Sequence, residues 1–177
     1  LSNALKEKIR SEIADYKLLN SEIAFIDPVY LNLDLSLRFS GEVNRLRYKD
    51  STQLVITKQA RALINEDDLK SKVYNIITTY INNLKLGDTI DVRFLNNEIE
   101  KIQGIESIET LRTDLNRGTP GLSFCVFNPI YNGKDKKVFD TRCKLKPYQI
   151  PYIESPVAFK DKIVIKSQVT NKRVVEY

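Results

Sequence analysis

The sequence predicts an α+β fold: an antiparallel or mixed sheet with two packed helices, an N-terminal helix before it, and a small β-rich module after it. Three observations support this prediction. Apolar and polar residues alternate from Val29 onward, as in a strand with one buried face. Two later segments carry apolar residues at helical spacing. From Gly118 the chain gains proline- and glycine-containing turns, which favour short strands.

The N-terminal segment, residues 1–24, is predicted to be a helix followed by a linker. Within residues 4–19, the apolar residues Leu5, Ile9, Ile13 and Tyr16 follow one another at spacings of four, four and three. We expect this stripe to pack on the rest of the fold or on a neighbouring chain.

The clearest strand pattern runs from Val29 to Phe39, directly after Pro28. Proline disfavours helix at the residue before it, so the chain is expected to become extended here. Polar residues at every second position favour an antiparallel or mixed sheet. A second strand is predicted at Gln53–Thr57, and residues 43–46 are a candidate extension of a hairpin.

A long helix is predicted to begin after Asn65, which is a suitable N-cap, and Asp67 and Asp68 suit the positive end of its dipole. Gly87 is expected to end it. Its apolar stripe comprises Leu69, Val73, Ile76, Ile77, Tyr80, Ile81 and Leu84.

A shorter helix is predicted within residues 90–103, with Asp88 and Asp91 as its capping pair and Gly104 after its end. Residues 105–115 then read as a strand. We expect residues 25–117 to form one α/β domain, in which each helix covers the apolar face of the sheet.

Residues 118–177 are expected to form a β-rich module or arm. Strands are predicted at Leu122–Phe127 and Lys162–Val169, with a mixed extended segment at Lys137–Lys146. Asn132-Gly133 is a typical hairpin tip. Residues 147–152 carry two prolines, too many for a helix or a central strand.

The formal net charge is +5, and the excess lies in the last third, where residues 118–177 carry eleven basic and five acidic side chains. One interpretation is a nucleic-acid-binding surface. The interpretation we favour is a solvated face, or a patch that meets an acidic protein partner, because no RNA- or DNA-binding signature accompanies the charge.

Several kinds of catalytic chemistry lack support in this sequence. It contains no histidine and no phosphate-binding glycine loop. The carboxylate pairs Asp67-Asp68 and Glu98-x-Glu100 fit helix surfaces better than a metal or acid/base site. We therefore expect no enzyme activity, no cofactor and no metal.

Two further expectations concern the thiols and the missing methionine. We expect Cys125 and Cys143 to be reduced or buried thiols, although a disulfide between them is an alternative. Because no methionine occurs, we expect this chain to be a fragment of a longer protein. An enzyme whose catalytic residues lie outside the fragment is therefore a third hypothesis.

The aromatic residues of the last third lie among basic residues and are candidates for partner contact. Stacking on nucleotides is one interpretation. Core packing or anchoring in a protein interface is the one we favour. The predicted partner-interface residues are Tyr131, Tyr148, Tyr152 and Phe159.

The order of several motifs resembles the C-terminal region of the baseplate wedge proteins of contractile-tailed, T-even-like bacteriophages, which are related to the baseplate J-like family. The resemblance covers roughly residues 5–169, and the segment 40–52 looks longer than the usual connection of that family. The matching segments are Asp27–Leu33, Leu86-Gly87-Asp88, Ile102–Ile105, Leu122-Ser123-Phe124, Phe127–Tyr131 and Gln149-Ile150-Pro151.

This resemblance implies a structural protein of the virion, made in the host cytoplasm, with a baseplate-type domain at residues 25–117. It implies that copies associate with other wedge proteins and with each other, as a homo-oligomer, in a ring around the central hub. It supplies no catalytic residues. We expect no nucleic-acid or membrane partner.

Overall fold

The computed structural model describes residues 2–16, 24–37, 52–60, 62–131 and 137–167, apart from the side chains of Asp15 and Tyr131. In these ranges the helices are α1 (Asn3–Glu12), α2 (Glu66–Asn82), α3 (Val92–Glu100) and α4 (Pro156–Asp161). The strands are β1 (Val29–Leu35), β2 (Thr52–Lys58), β3 (Thr89–Asp91), β4 (Ile105–Arg112), β5 (Arg117–Pro120), β6 (Phe124–Phe127), β7 (Lys137–Phe139), β8 (Arg142–Lys144), β9 (Gln149–Tyr152) and β10 (Ile163–Ser167). Short 3-10 turns cover Ala14–Tyr16, Thr113–Leu115 and Pro129–Tyr131.

The first sheet has the strand order β7-β6-β1-β9. Strand β1 is antiparallel to β6 and parallel to β9, so the sheet is mixed. The period-two pattern decides its faces: Leu31, Leu33 and Leu35 are buried in the core, whereas Tyr30 on the opposite face is exposed. The strand predicted from the alternation is thus confirmed for residues 29–35, and the residues after Leu37 lie outside the described part.

The second sheet has the order β10-β2-β4-β5. Strands β2 and β4 form a long antiparallel pair, and β10 adds to β2 in parallel. A small two-stranded ladder joins β3 to β8. Helices on mixed and antiparallel sheets confirm the predicted α+β class.

Helix α2 begins as predicted, because the side chain of Asn65 accepts a hydrogen bond from the backbone N–H of Asp67 at 3.0 Å. It ends at Asn82, earlier than the predicted stop, and Gly87 lies in the following turn with a φ of 77°. Four residues of its stripe are fully buried: Leu69, Val73, Ile77 and Ile81.

Helix α3 is shorter than predicted, because its first residues belong to strand β3. Asp91 is its N-cap, as expected, but Asp88 has another role. The carboxylate of Asp88 accepts a hydrogen bond from Lys85 N at 2.8 Å and closes the turn before β3. Gly104 has a φ of 94°, and an added Cβ would lie 2.6 Å from Ile64, so this turn requires glycine.

One buried cluster joins the two four-stranded sheets to helices α2 and α3. It includes Leu33 and Phe124 from the first sheet, Ile56 from the second, Ile77 from α2 and Leu95 from α3. Cys125 and Cys143 are buried and unbridged, in agreement with the expectation of free thiols. Burial raises the pKa of the Cys143 thiol, which keeps it protonated and poorly reactive.

Strands from both sides of residue 118 share each four-stranded sheet. In the first sheet, β1 lies between β6 and β9, and in the second sheet β2 lies between β10 and β4. Each four-stranded sheet therefore contains strands from before and after residue 118, and the chain does not complete either sheet before that residue. The predicted hairpin tip at Asn132-Gly133 and the candidate hairpin at residues 43–46 lie outside the described residues.

Three further differences separate the predicted and observed elements. Helix α1 ends at Glu12, before the predicted end at residue 19, and a 3-10 turn follows. Strand β4 ends at Arg112, before the predicted end at residue 115. Helix α4 is absent from the sequence prediction, although it begins at Pro156, a residue that suits the first turn of a helix.

Candidate protein interface

Helix α1 carries its apolar stripe on an open surface. Ser2 caps the helix by accepting a hydrogen bond from the backbone N–H of Leu5 at 3.3 Å. No residue of the helix is buried, and Leu5 and Ile13 are 43% and 38% exposed. Tyr16 in the following turn is 85% exposed. The predicted stripe is therefore present: in the described part of the chain Ile9 is half-buried, whereas Leu5, Ile13 and Tyr16 are exposed.

Helix α1 contacts Phe25 through the basic residues beside its apolar stripe. The Arg10 guanidinium lies 5.2 Å from the ring centroid of Phe25, and Lys6 Nζ lies 6.0 Å from the same centroid. These distances fit cation–π contacts. Lys6 and Arg10 directly follow Leu5 and Ile9 in the sequence, so these contacts place Phe25 beside the apolar stripe.

Tyrosines gather at the edge of the first sheet where β9 meets β1. The rings of Tyr30 and Tyr152 meet edge to face, with centroids 6.1 Å apart. Tyr30 is 56% exposed, and Tyr152 is half-buried. Tyr148 lies in the turn before β9, with Lys146 Nζ 5.9 Å from its ring centroid. This edge presents aromatic area with a cation beside it, a composition that is common at protein interfaces.

The structure separates the four predicted partner-interface residues. Tyr152 is the last residue of β9 and Tyr148 lies in the turn before this strand, whereas Tyr131 ends a 3-10 turn, with a side chain outside the described part. Phe159 is only 2% exposed and stacks on Phe124, with ring centroids 6.5 Å apart. The core position of Phe159 accounts for this residue without any partner.

Two exposed aromatic residues were missed in the sequence. Tyr30 occupies a polar position of the β1 alternation, and Phe94 lies off the apolar stripe of α3. Phe94 is 49% exposed and contacts Tyr80, with ring centroids 5.5 Å apart. In both cases the available signal was an aromatic residue on the face that the periodicity assigns to solvent.

A polar cluster ties the two four-stranded sheets together. Asn32 Nδ2 donates to Glu154 Oε2 at 2.8 Å, and Glu154 N donates to Asn32 Oδ1 at 3.1 Å. Lys162 Nζ lies 2.8 and 2.9 Å from the two carboxylate oxygens of Asp34. These residues line a cleft of about 90 Å³. Since the opposite charges are already paired, the cluster fixes β1 against the start of β10.

The second polar centre is built on Asp91. Its carboxylate accepts hydrogen bonds from the backbone N–H groups of Arg93 and Phe94 at 3.1 and 3.2 Å, and from Arg142 Nε at 2.7 Å. The Arg142 hydrogen bond is the main reason that the pKa of Asp91 is lowered. Burial raises the pKa of Tyr80, whose hydroxyl oxygen accepts from Asp91 N at 2.7 Å.

The carboxylate pairs singled out in the sequence lie on the surfaces of helices α2 and α3. Asp67 and Asp68 lie in the first turn of α2, and Glu98 pairs with Lys101 on the surface of α3. Within the described ranges, no group of three or more His, Cys, Asp or Glu side chains is placed to hold a metal ion. The helices of the same ranges are all too short or too polar to cross a membrane.

A comparison with protein-family models finds no family that matches this chain, and a search of curated proteins finds no significant relative. The likeness to baseplate wedge proteins therefore depends on the ordered motifs of the sequence alone. The geometry adds two accessible surfaces, the α1 stripe and the tyrosine edge formed by Tyr30, Tyr148 and Tyr152.

Proposed function

We propose that this chain is a structural component of a phage tail baseplate wedge, which assembles through protein–protein contacts into the ring around the central hub. The observation that carries the proposal is the partly exposed apolar stripe of α1, of which no residue is fully buried. The order of motifs from Asp27 to Pro151 supports the same function.

The length of α1 favours a binding partner that would stabilise the helix. An isolated helix shorter than about 12 residues is marginal in water, because forming the first turn costs more than one hydrogen bond returns. Helix α1 has 10 residues and buries none of them. A partner that covered Leu5 and Ile9 would contribute about 1.5–3 kcal/mol for each fully buried side chain.

The remainder of the described fold suits a rigid assembly unit. A single buried cluster holds both sheets, and the Asp34–Lys162 ion pair links the first sheet to the start of β10. A component of a closed ring has to hold its contact surfaces at fixed angles, since small errors add up around the ring. The α1 stripe and the tyrosine edge then provide the contacts.

A nucleic-acid-binding module is the second candidate, favoured by the exposed residues Lys144 and Lys146, of which Lys146 lies over the Tyr148 ring. Other cations of the last third are already engaged within the fold. Arg142 pairs with Asp91, and Lys162 pairs with Asp34. Two of the eleven basic side chains of residues 118–177 are thus engaged within the fold, and four of the eleven lie outside the described residues.

The test is complex formation between this chain and purified wedge proteins of a contractile-tailed phage, measured by light scattering. We expect a complex whose mass exceeds that of the separate components. Replacing Leu5 and Ile9 together with serine should abolish it, because this change removes the apolar stripe.

The matched control replaces Glu7 and Ser11 with alanine, on the polar side of the same helix, and should leave the complex intact. A chain that binds no wedge protein contradicts the proposal. Binding to duplex DNA that weakens steeply with salt would support the second candidate instead.

A further inference from the structure

Among the described residues, strand β10 forms an outer edge of the second sheet and has β2 as its neighbour. Leu54 N donates to Lys162 O at 2.9 Å, and Leu54 lies opposite Ile163 in the parallel register. In a parallel pair, alternate residues of a strand turn their backbone groups toward the neighbour. Val164 and Lys166 therefore bond to β2, and the N–H and C=O groups of residues 163, 165 and 167 point outward.

These outward groups have no hydrogen-bond partner in the described part of the chain. Ile163, Ile165 and Ser167 together present three donors and three acceptors along one edge. A row of this kind is a template for pairing with another strand. The N–H and C=O groups of a second strand can replace the water molecules that hydrogen-bond to this edge.

The other sheet edges are protected in ways that β10 is not. Pro151 in β9 and Pro120 in β5 have no N–H group to donate. Strand β7 has three residues and begins at Lys137. Strand β10 instead runs for five residues, IVIKS, without proline or glycine. Natural proteins usually blunt their edge strands, and β10 has only Lys166 for this purpose, so in the described part of the chain its edge is open to a partner.

We propose that β10 pairs with β10 of a second copy of this chain, antiparallel, about a twofold axis at Ile165. In that register Ile165 lies opposite Ile165 of the second copy, and Ile163 lies opposite Ser167 of the second copy. All the outward groups of residues 163, 165 and 167 then form hydrogen bonds. The second sheet of one copy and the second sheet of the other then become one continuous sheet.

The side chains of β10 are complementary to themselves in this register. Val164 lies opposite Lys166 of the second copy, so no two like charges face each other directly. Isoleucine pairs with isoleucine at the axis. An interface that uses the same patch on both copies needs this self-complementarity, and twofold dimers are the commonest oligomers.

Charges at the two ends of β10 favour the antiparallel direction. At one end, Ser167 Oγ donates to Glu66 Oε1 at 3.2 Å, next to Asp67 and Asp68 in the first turn of α2. At the other end, Lys160 and Asp161 precede the strand, and Asp161 is neutralised by Lys70, whose Nζ lies 3.8 Å from its carboxylate, so Lys160 leaves this end basic. Antiparallel pairing brings the acidic end of each copy to the Lys160 end of the other, whereas parallel pairing brings like ends together.

The pairing follows from the β10 edge and does not depend on the function proposed above. The test is sedimentation velocity over a wide range of protein concentration, and we expect a monomer–dimer equilibrium. Val164→Lys places a lysine opposite Lys166 twice in the dimer, so the dissociation constant should rise about tenfold.

The matched variant is Val164→Glu, which removes the same apolar side chain but adds two attractive pairs with Lys166, and it should bind more tightly than Val164→Lys. Adding Lys166→Glu to Val164→Lys should restore the dimer. A monomer at every concentration, or a dimer that both single variants weaken to the same extent, overturns the pairing.

Amide hydrogen exchange gives a second readout that needs no variant. Raising the protein concentration should slow amide exchange at Ile165 and Ser167, whose N–H groups point toward the second copy. Exchange at Val164 and Lys166 should not change, because their N–H groups already donate to β2. Exchange at Ile165 and Ser167 that is independent of concentration also overturns the pairing. Loss of the α1 stripe by Ile9→Ser should leave this dimer intact, which separates the two interfaces.

Discussion

Asp91 performs two tasks with one carboxylate. One oxygen caps α3, and the other accepts a hydrogen bond from Arg142 across the ladder of β3 and β8. Both contacts favour the ionised form, and Arg142 is the main reason that the pKa of Asp91 lies below its ordinary value. A carboxyl group with a lowered pKa stabilises the fold above its ordinary pKa, and this contribution is lost as the pH falls through the lowered value.

Asp91→Asn should reduce the free energy of unfolding at neutral pH by roughly 0.5 kcal/mol, since ion pairs with largely exposed arginines contribute little. Asparagine keeps the helix cap, so the change reports mainly on the ion pair. The difference between the two proteins should shrink as the pH falls below 3.8, the ordinary carboxyl value. Denaturant unfolding across this pH range measures it, and a difference that does not change with pH contradicts the assignment.

The burial of single aromatic residues could not be predicted from the sequence pattern, as Tyr152 and Phe159 show. Tyr152 and Phe159 both looked like partner contacts, since each is aromatic and has basic neighbours. The structure leaves Tyr152 half-exposed at the edge of a sheet and packs Phe159 against Phe124. Nothing local distinguishes the two, because α4, which positions Phe159, packs through contacts that are distant in sequence.

Helices α1 and α2 carry similar apolar stripes but occupy different environments. In α2 the stripe is fully buried over four residues, whereas in α1 no residue is buried. Helical periodicity shows that a helix has an apolar face, but it does not show which surface covers that face. The two stripes should therefore respond differently to the same substitution.

Ile77→Ala should lower the free energy of unfolding by about 2–5 kcal/mol, because it removes fully buried groups and leaves a cavity. Ile9→Ala in the isolated chain should change it much less, by about 0.5 kcal/mol, because Ile9 is only half-buried. Chemical denaturation of both variants measures the contrast. A loss above about 2 kcal/mol for Ile9→Ala would mean that α1 packs on the fold.

For the edge strands, the sequence predicted the position at an edge but not the partner strand. The two prolines of residues 147–152 predicted that this segment avoids the centre of a sheet, and β9 is indeed an edge strand. Its parallel partner, β1, was not predictable, because a proline says only which hydrogen bonds are missing. The free edge of β10 likewise became visible only from its register with β2.

On the scale of the whole molecule, the chain crosses between its two sheets repeatedly. Strand β1 belongs to the first sheet, β2, β4 and β5 to the second, β6, β7 and β9 to the first again, and β10 to the second. Both sheets therefore need strands from before and after residue 118. The buried cluster contains residues from both parts as well.

A fragment of residues 25–117 should fail to fold, because β1 loses both of its neighbours and β2 loses β10. Circular dichroism and amide chemical-shift dispersion measure this directly. A matched fragment of residues 25–167 keeps every strand and should unfold in one cooperative transition. A well-dispersed spectrum from the shorter fragment would show that residues 25–117 are an independent domain.

The sequence by itself determined the local structure: the β1 alternation, the α2 stripe, the Asn65 and Asp91 caps, and the α+β class. It also gave the resemblance on which the baseplate proposal depends, and that function stays a prediction. Only the tertiary structure decided the strand order, the parallel pairs, the burial of Phe159 and the exposure of the α1 stripe. The reason is physical: periodicity and capping depend on residues a few positions apart, whereas pairing and coverage depend on the packing of the whole chain.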